Sequence, residues 1–316
     1  SAAGGGVLIA LMALFKTYLG SIIDDKVWKG IAEGLNYGLG FMVIFMLHFT
    51  VATKQPAMTA ARFAEAVEKT PQGKTVNMKL AQLLVDVFRS QSIAVLGNVL
   101  IAMGLAALIA FGYQYKTGEP LMNADQIAYQ LHSIDPFAGT LWFAAIAGVW
   151  LFCSGIISGY FDNRSNYLNM RMRLTQHPLL KKLMSEKTRV KFANYMHENY
   201  GSLIGNLCFG MLLGITGVVG YLTHLPLDIR HVAFSSANVG YIAVSGHFTY
   251  SLLLQCIAFV LLIGLVNLIV SFSLTLWVAL RSLNAEIDSW WPIWHEVCQI
   301  VKKRPLSLFL PVQLDK

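Results

Sequence analysis

His224, Asp228 and His231, in the stretch HLPLDIRH, have the types and spacing to hold a metal. On a helix, steps of four and three would bring two imidazoles and a carboxylate to one face, a donor set suited to Zn²⁺ or a similar ion. Pro226 falls between them and no HExxH signature accompanies them, so a structural use of the three is the plainer reading. A second set consists of amides: Asn98 and Asn206 near the starts of two similar apolar stretches, and Gln255 and Asn267 in a third. An amide in hydrocarbon needs a partner, so these either hydrogen-bond helix to helix or line a polar path. No Asp or Glu lies in the middle of an apolar stretch, which counts against an ion-driven pump. A third set is basic. Residues 162–200 hold eight cations, Arg171, Arg173, Lys181, Lys182, Lys187, Arg189 and Lys191 among them, against Asp162, Glu186 and Glu198. Tyr167, Phe192 and Tyr195 interleave with them. Nucleic-acid phosphates, anionic lipid head groups and a purely topological signal all fit such a run.

The elements that must carry these residues are apolar helices. Of the 316 residues 55% are hydrophobic and 13% charged, and the mean hydropathy is +0.55. Soluble domains carry about 25% charged residues, so lipid is the expected solvent. The stretch GNVLIAMGLAALIAFGY (97–113) has no charge, and GNLCFGMLLGITGVVGY (205–221) matches it in its opening Gly-Asn, its Met and its closing Gly-Tyr. With their apolar flanks each reaches the roughly 20 residues needed to cross about 30 Å of hydrocarbon. Six spans are expected, at about 5–22, 31–51, 93–113, 137–161, 203–222 and 248–280. Lys16 lies near the outer end of the first, within snorkelling reach. Pro56 and Thr53 suit the start of an amphipathic helix. The stripe Leu80, Leu83, Leu84, Val87, Phe88 predicts another, continuous with the third span. The segment 234–246 is too short to cross, and a re-entrant or surface-lying course is expected for it.

Charge placement sets the orientation. Nineteen of the 24 Lys and Arg fall in 54–92, 162–200 and 281–316, and four fall in the alternate connections. By the positive-inside rule both ends of this chain face the cytoplasm, and His132, His224, His231 and His247 lie outside. Trp290, Trp291 and Trp294 are expected near the inner interface. The four cysteines, Cys153, Cys208, Cys256 and Cys298, imply no disulfide framework. The start, Ser-Ala-Ala-Gly-Gly-Gly, reads as a cut or processed end without a signal peptide. If the Gly-Asn…Gly-Tyr match is a true repeat, the unit is span, basic segment, span, and the two copies run parallel.

The stretch HFTVATKQPAMTAARFAEAV (48–67), followed by the 92–97 entry into the third span, resembles a family of bacterial inner-membrane proteins labelled site-specific recombinases. The resemblance implies the membrane-spanning C-terminal part of longer proteins, and its label implies DNA strand exchange. The residues supply no such chemistry: there is no His-x-x-Arg, and no soluble α/β domain to carry a serine nucleophile. The expectation is therefore an all-α, polytopic membrane bundle forming a single transmembrane domain, with no catalytic residue and no cofactor. Its expected role is a scaffold or a conduit for a lipid-like or small solute. The alternative is a membrane-tethered recombinase or DNA-associated protein. Anionic head groups, a second copy or another membrane protein are the expected partners, and nucleic acid is less favoured.

Overall fold

A computed structural model describes residues 1–51, 65, 67, 74–245, 248–284, 287 and 289–308. These form eleven α-helices: α1 (Ala2–Ile22), α2 (Lys26–Met46), α3 (Lys74–Thr117), α4 (Ala124–Ile134), α5 (Thr140–Tyr167), α6 (Met170–Gln176), α7 (Pro178–Leu183), α8 (Glu186–Thr223), α9 (Val232–Ala243), α10 (Tyr250–Ser282) and α11 (Trp290–Lys303). Short 3-10 turns follow α4 and α11. No strand occurs among the described residues, as the all-α expectation requires. Five helices are long and apolar enough to cross a membrane: α1, α3 from Asn77, α5, α8 and α10. The expected second span is helical but is not among the five. Lys26, Lys29, Glu33 and Asn36 crowd the first half of α2, and the helix ends at Met46, before His48 turns left-handed at φ 55°. The tract TKQPAMTAARF, with Thr53 and Pro56, lies outside the described residues, as does His247.

The chain divides into two compact units, Ser1–Leu14, Phe49–Phe152 and Asp228–Lys316 in one, Phe15–His48 and Cys153–Leu227 in the other. In the first unit the amphipathic stripe and the third span are one unbroken helix, α3, of 44 residues. Its membrane half packs on α9, which also meets α4 and α10. Val99, Met103, Ile134, Val232, Val239, Val260 and Ile263 form that core. Leu80 and Ala81 of its amphipathic half join Leu276 and Ile293 in a second cluster. So α11 buries Ile293 and leaves Trp290, Trp291 and Trp294 exposed. The segment expected to be re-entrant or surface-lying is the 12-residue α9, buried along nearly its whole length, which excludes a surface course. At about 18 Å it is too short to cross a bilayer. A side chain at Gly240 would meet the carbonyl of Met103. Tyr241 donates its hydroxyl to the carbonyl of Ala10 at 2.7 Å.

In the second unit α2 lies along α8. Gly30, Gly34 and Gly38 recur every four residues and face Gly210 and Gly214, so the two backbones approach without side chains between them. Phe41 and Phe209 close the seam, their ring centroids 5.1 Å apart. Gly201 and Gly205 similarly admit α5: a methyl at either would strike Ser158, and at Gly201 also Asp162. Asp25 caps α2 by accepting from the backbone N–H groups of Val27 and Trp28 at 3.0 and 2.9 Å.

Candidate functional site

Two of the four amides, Asn98 and Asn267, join separate segments, and a third, Asn206, is buried within its own helix. Asn267, fully buried on α10, donates to the carbonyls of Ala144 (2.7 Å) and Arg230 (3.0 Å), and its Oδ1 accepts from the backbone N–H of Val232 at 3.1 Å. One side chain thus ties α10 to α5 and caps the start of α9. Asn98, also fully buried, donates to the carbonyls of Ala2 (2.7 Å) and Thr50 (3.0 Å). Gly5 leaves the room for this, since a methyl there would sit 3.1 Å from the Asn98 amide. Asn206 donates at 2.7 Å to Ser202, one turn earlier on its own helix. The two asparagines of the matching stretches are therefore bonded in different ways. Gln255 is exposed and borders a cleft of about 230 Å³ between α4 and α10, with His132, Asp135, Cys256 and apolar neighbours.

The stretch 224–231 is not helical, because Pro226 has no N–H to continue a helix. The face that would have gathered His224, Asp228 and His231 is thus not formed. His224 ends α8 in a left-handed conformation, and buried His231 caps α9 through Ala233. The Asp228 carboxylate takes a hydrogen bond from Arg230 at 2.6 Å and another from the N–H of Ile229 at 2.8 Å. Among the described residues no three His, Cys, Asp or Glu side chains are gathered as a metal ion needs. Arg230, which sequence reasoning used only in the charge balance, also donates to the carbonyl of Ser133 at 2.8 Å and lies over the Phe143 ring.

Other polar contacts escaped the sequence because their members are far apart in it. The Ser165 hydroxyl lies 3.1 Å from Nδ1 of His197, and Asp162 accepts from the N–H of Gly201 at 2.9 Å. A hydroxyl beside an imidazole is the pairing of a nucleophile with a base. Ser165, however, is fully buried, so no substrate carbonyl or phosphate could reach it. Ser165→Ala is expected to cost about 1 kcal/mol of stability, read as a small drop in thermal midpoint in detergent. Lys16, expected to snorkel, lies 3.5 Å from Glu33 and over the Tyr37 ring.

The basic residues lie at the ends of α5 and α8 and on the short helices between. Arg171, Arg173, Lys181, Lys182, Lys187 and Lys191 are exposed; Arg189 is half-buried and reaches the carbonyl of Met184. The chain matches the model of the family described as Site-specific recombinase over residues 1–311. It belongs to that family. No curated protein and no solved structure matches it. That description names a recombinase, while the described residues of this chain include five helices long and apolar enough to cross a membrane.

The apolar surface has its own pattern along single helices. On α5 the exposed Trp142 and Tyr160 stand eighteen residues apart, about 27 Å. On α10 the exposed Tyr250 and Trp277 bracket Leu254, Leu265 and Ile269, also exposed. Aromatic rings at both ends of an apolar stretch match the two interfaces of a bilayer.

Proposed function

We propose that the protein is a non-enzymatic scaffold of the bacterial inner membrane, with both ends of this chain in the cytoplasm and α2 making a sixth crossing. One observation carries the reading: Asn98 and Asn267 give their amide N–H groups to backbone carbonyls of other segments. Polar side chains used this way fix helix positions; a solute path needs them turned toward water. Lipid fits the exposed Leu100, Leu108 and Phe111 of α3.

Reconstituted into liposomes, the protein should leave small-solute leak and lipid scrambling at the rates of protein-free vesicles. Flux that Gln255→Ala abolishes would replace the scaffold with a conduit. The family's description supports a second reading, a membrane-tethered DNA-processing protein. On that reading duplex binding falls steeply with salt, with a slope of about −0.9 for each phosphate contact. A flat salt response would remove it.

A further inference from the structure

We propose that α6, α7 and the first turns of α8 form a docking head for an acidic, amphipathic helix of a partner protein. The inference rests on the membrane reading above, because the head's position is measured from the bilayer. Helix α8 has 38 residues, about 57 Å, and its apolar part begins at Gly201. From Gly201 back to Glu186 is fifteen residues, or about 22 Å. Head-group layers add only about 5–8 Å to each side of the hydrocarbon, and the Debye length is about 8 Å in physiological salt. The first turn of α8, with Lys187, and α7 joined to it, with Lys181 and Lys182, therefore stand beyond the membrane's own anionic surface, and the exposed cations there face another partner, with those of α6 and Lys191 on the side toward the membrane.

Charge and shape together say which. Arg171 and Arg173 lie on α6, Lys181 and Lys182 on α7, Lys187 and Lys191 on the first turns of α8, and all are exposed. Between residues 163 and 197 the sole acid is Glu186. Lys181 donates to Gln176, and none of the six is in an ion pair among the described residues. Among these cations Met172, Leu179 and Leu183 are also exposed, Leu183 to 78%. Leu179 and Leu183 are one turn apart on α7 and share a face. A phosphate backbone gives such side chains nothing to pack on. An amphipathic helix supplies both terms, apolar anchors for the leucines and the methionine and carboxylates for the rim.

The test uses the whole chain in nanodiscs of neutral lipid and a synthetic Glu/Leu amphipathic helical peptide. Saturable binding is expected, weakened about tenfold or more both by Leu179→Ser with Leu183→Ser and by Lys181→Glu with Lys182→Glu. All four positions are exposed, so the thermal midpoint should not move. Loss with the charge variant alone, or preference for duplex DNA or anionic-lipid vesicles over the peptide, overturns the proposal. Depth is read with fluorophores on Lys187→Cys and Ile215→Cys in a Cys298→Ser background, using lipid-borne quenchers. Quenching at position 215 and not at 187 is expected. Quenching at both puts the head on the lipid and defeats the docking proposal while sparing the membrane reading. Quenching at neither defeats the membrane reading itself.

Discussion

Asn267→Ala is expected to lower the stability of the first unit by about 2–4 kcal/mol, a large effect for a single polar truncation. The substitution removes three hydrogen bonds and leaves the carbonyls of Ala144 and Arg230 and the N–H of Val232 without the side chain that meets them. The residue is fully buried, so water cannot easily replace it. Some of the cost is recovered if the freed groups find new partners within the helices, as happens in membranes. Asn267→Asp keeps the acceptor for Val232 and puts a carboxylate against two carbonyls, so it should be no better than alanine. Gln255→Ala, exposed on the same helix, should stay within about 0.5 kcal/mol of the parent. Thermal unfolding in detergent, followed by helical circular dichroism, reads all three. Equal midpoints for Asn267→Ala and Gln255→Ala would show that the amide junction carries no stability.

The second large effect lies between α2 and α8. A methyl group on Gly210 would fall on the backbone of Gly38, and one on Gly214 on the backbone of Gly34. No rotamer change relieves a backbone clash, so Gly210→Ala must push the helices apart, at a cost of about 1–3 kcal/mol or more. The Phe41–Phe209 contact, set by the same approach, should loosen with it. Gly217 on α8 has no atom within 4 Å of its Cβ position. Gly217→Ala should therefore be neutral or stabilising by up to about 1 kcal/mol through helix propensity. Two alanines on one helix with opposite signs test the packing directly. A crosslink between Cys substitutions at Gly30 and Val218 that forms equally well in Gly210→Ala would rule out the separation.

Much of this architecture could be read before any coordinates, and the parts that could not share a physical cause. Long uncharged runs announce helices on their own, because lipid demands internal backbone hydrogen bonding whatever the neighbours are. The stripe from Leu80 to Phe88 likewise predicted that α3 continues beyond its membrane half, and it does. Helix α2 was harder: its glycines make sense only against the glycines of α8, some 170 residues later. The segment 224–231 was misleading in spacing, since four-and-three steps mean nothing once Pro226 stops the helix. The segment 234–246 was too short to read as a crossing, and only the close approach of Gly240 to α3 shows why Val232–Ala243 is a buried helix. The four amides were singled out by chemistry alone, but their partners, for Asn267 an N–H 35 residues away and carbonyls 37 and 123 residues away, carry no sequence signal. The Ser165–His197 contact was missed for the same reason.

Helix α9 has a consequence for how the chain is made. It is too short to enter the bilayer as an independent hairpin arm, and the first N–H it must satisfy is met by Asn267, which is synthesised later. During translation, therefore, Val232–Ala243 can meet α3, which precedes it, but its first N–H lacks the Asn267 side chain until α10 has been made. The packing of α9 is complete only after the helix that follows it has been made. Chains truncated before Tyr250 are expected to leave Val232–Ala243 open to protease, and chains extending through Ser282 to protect it.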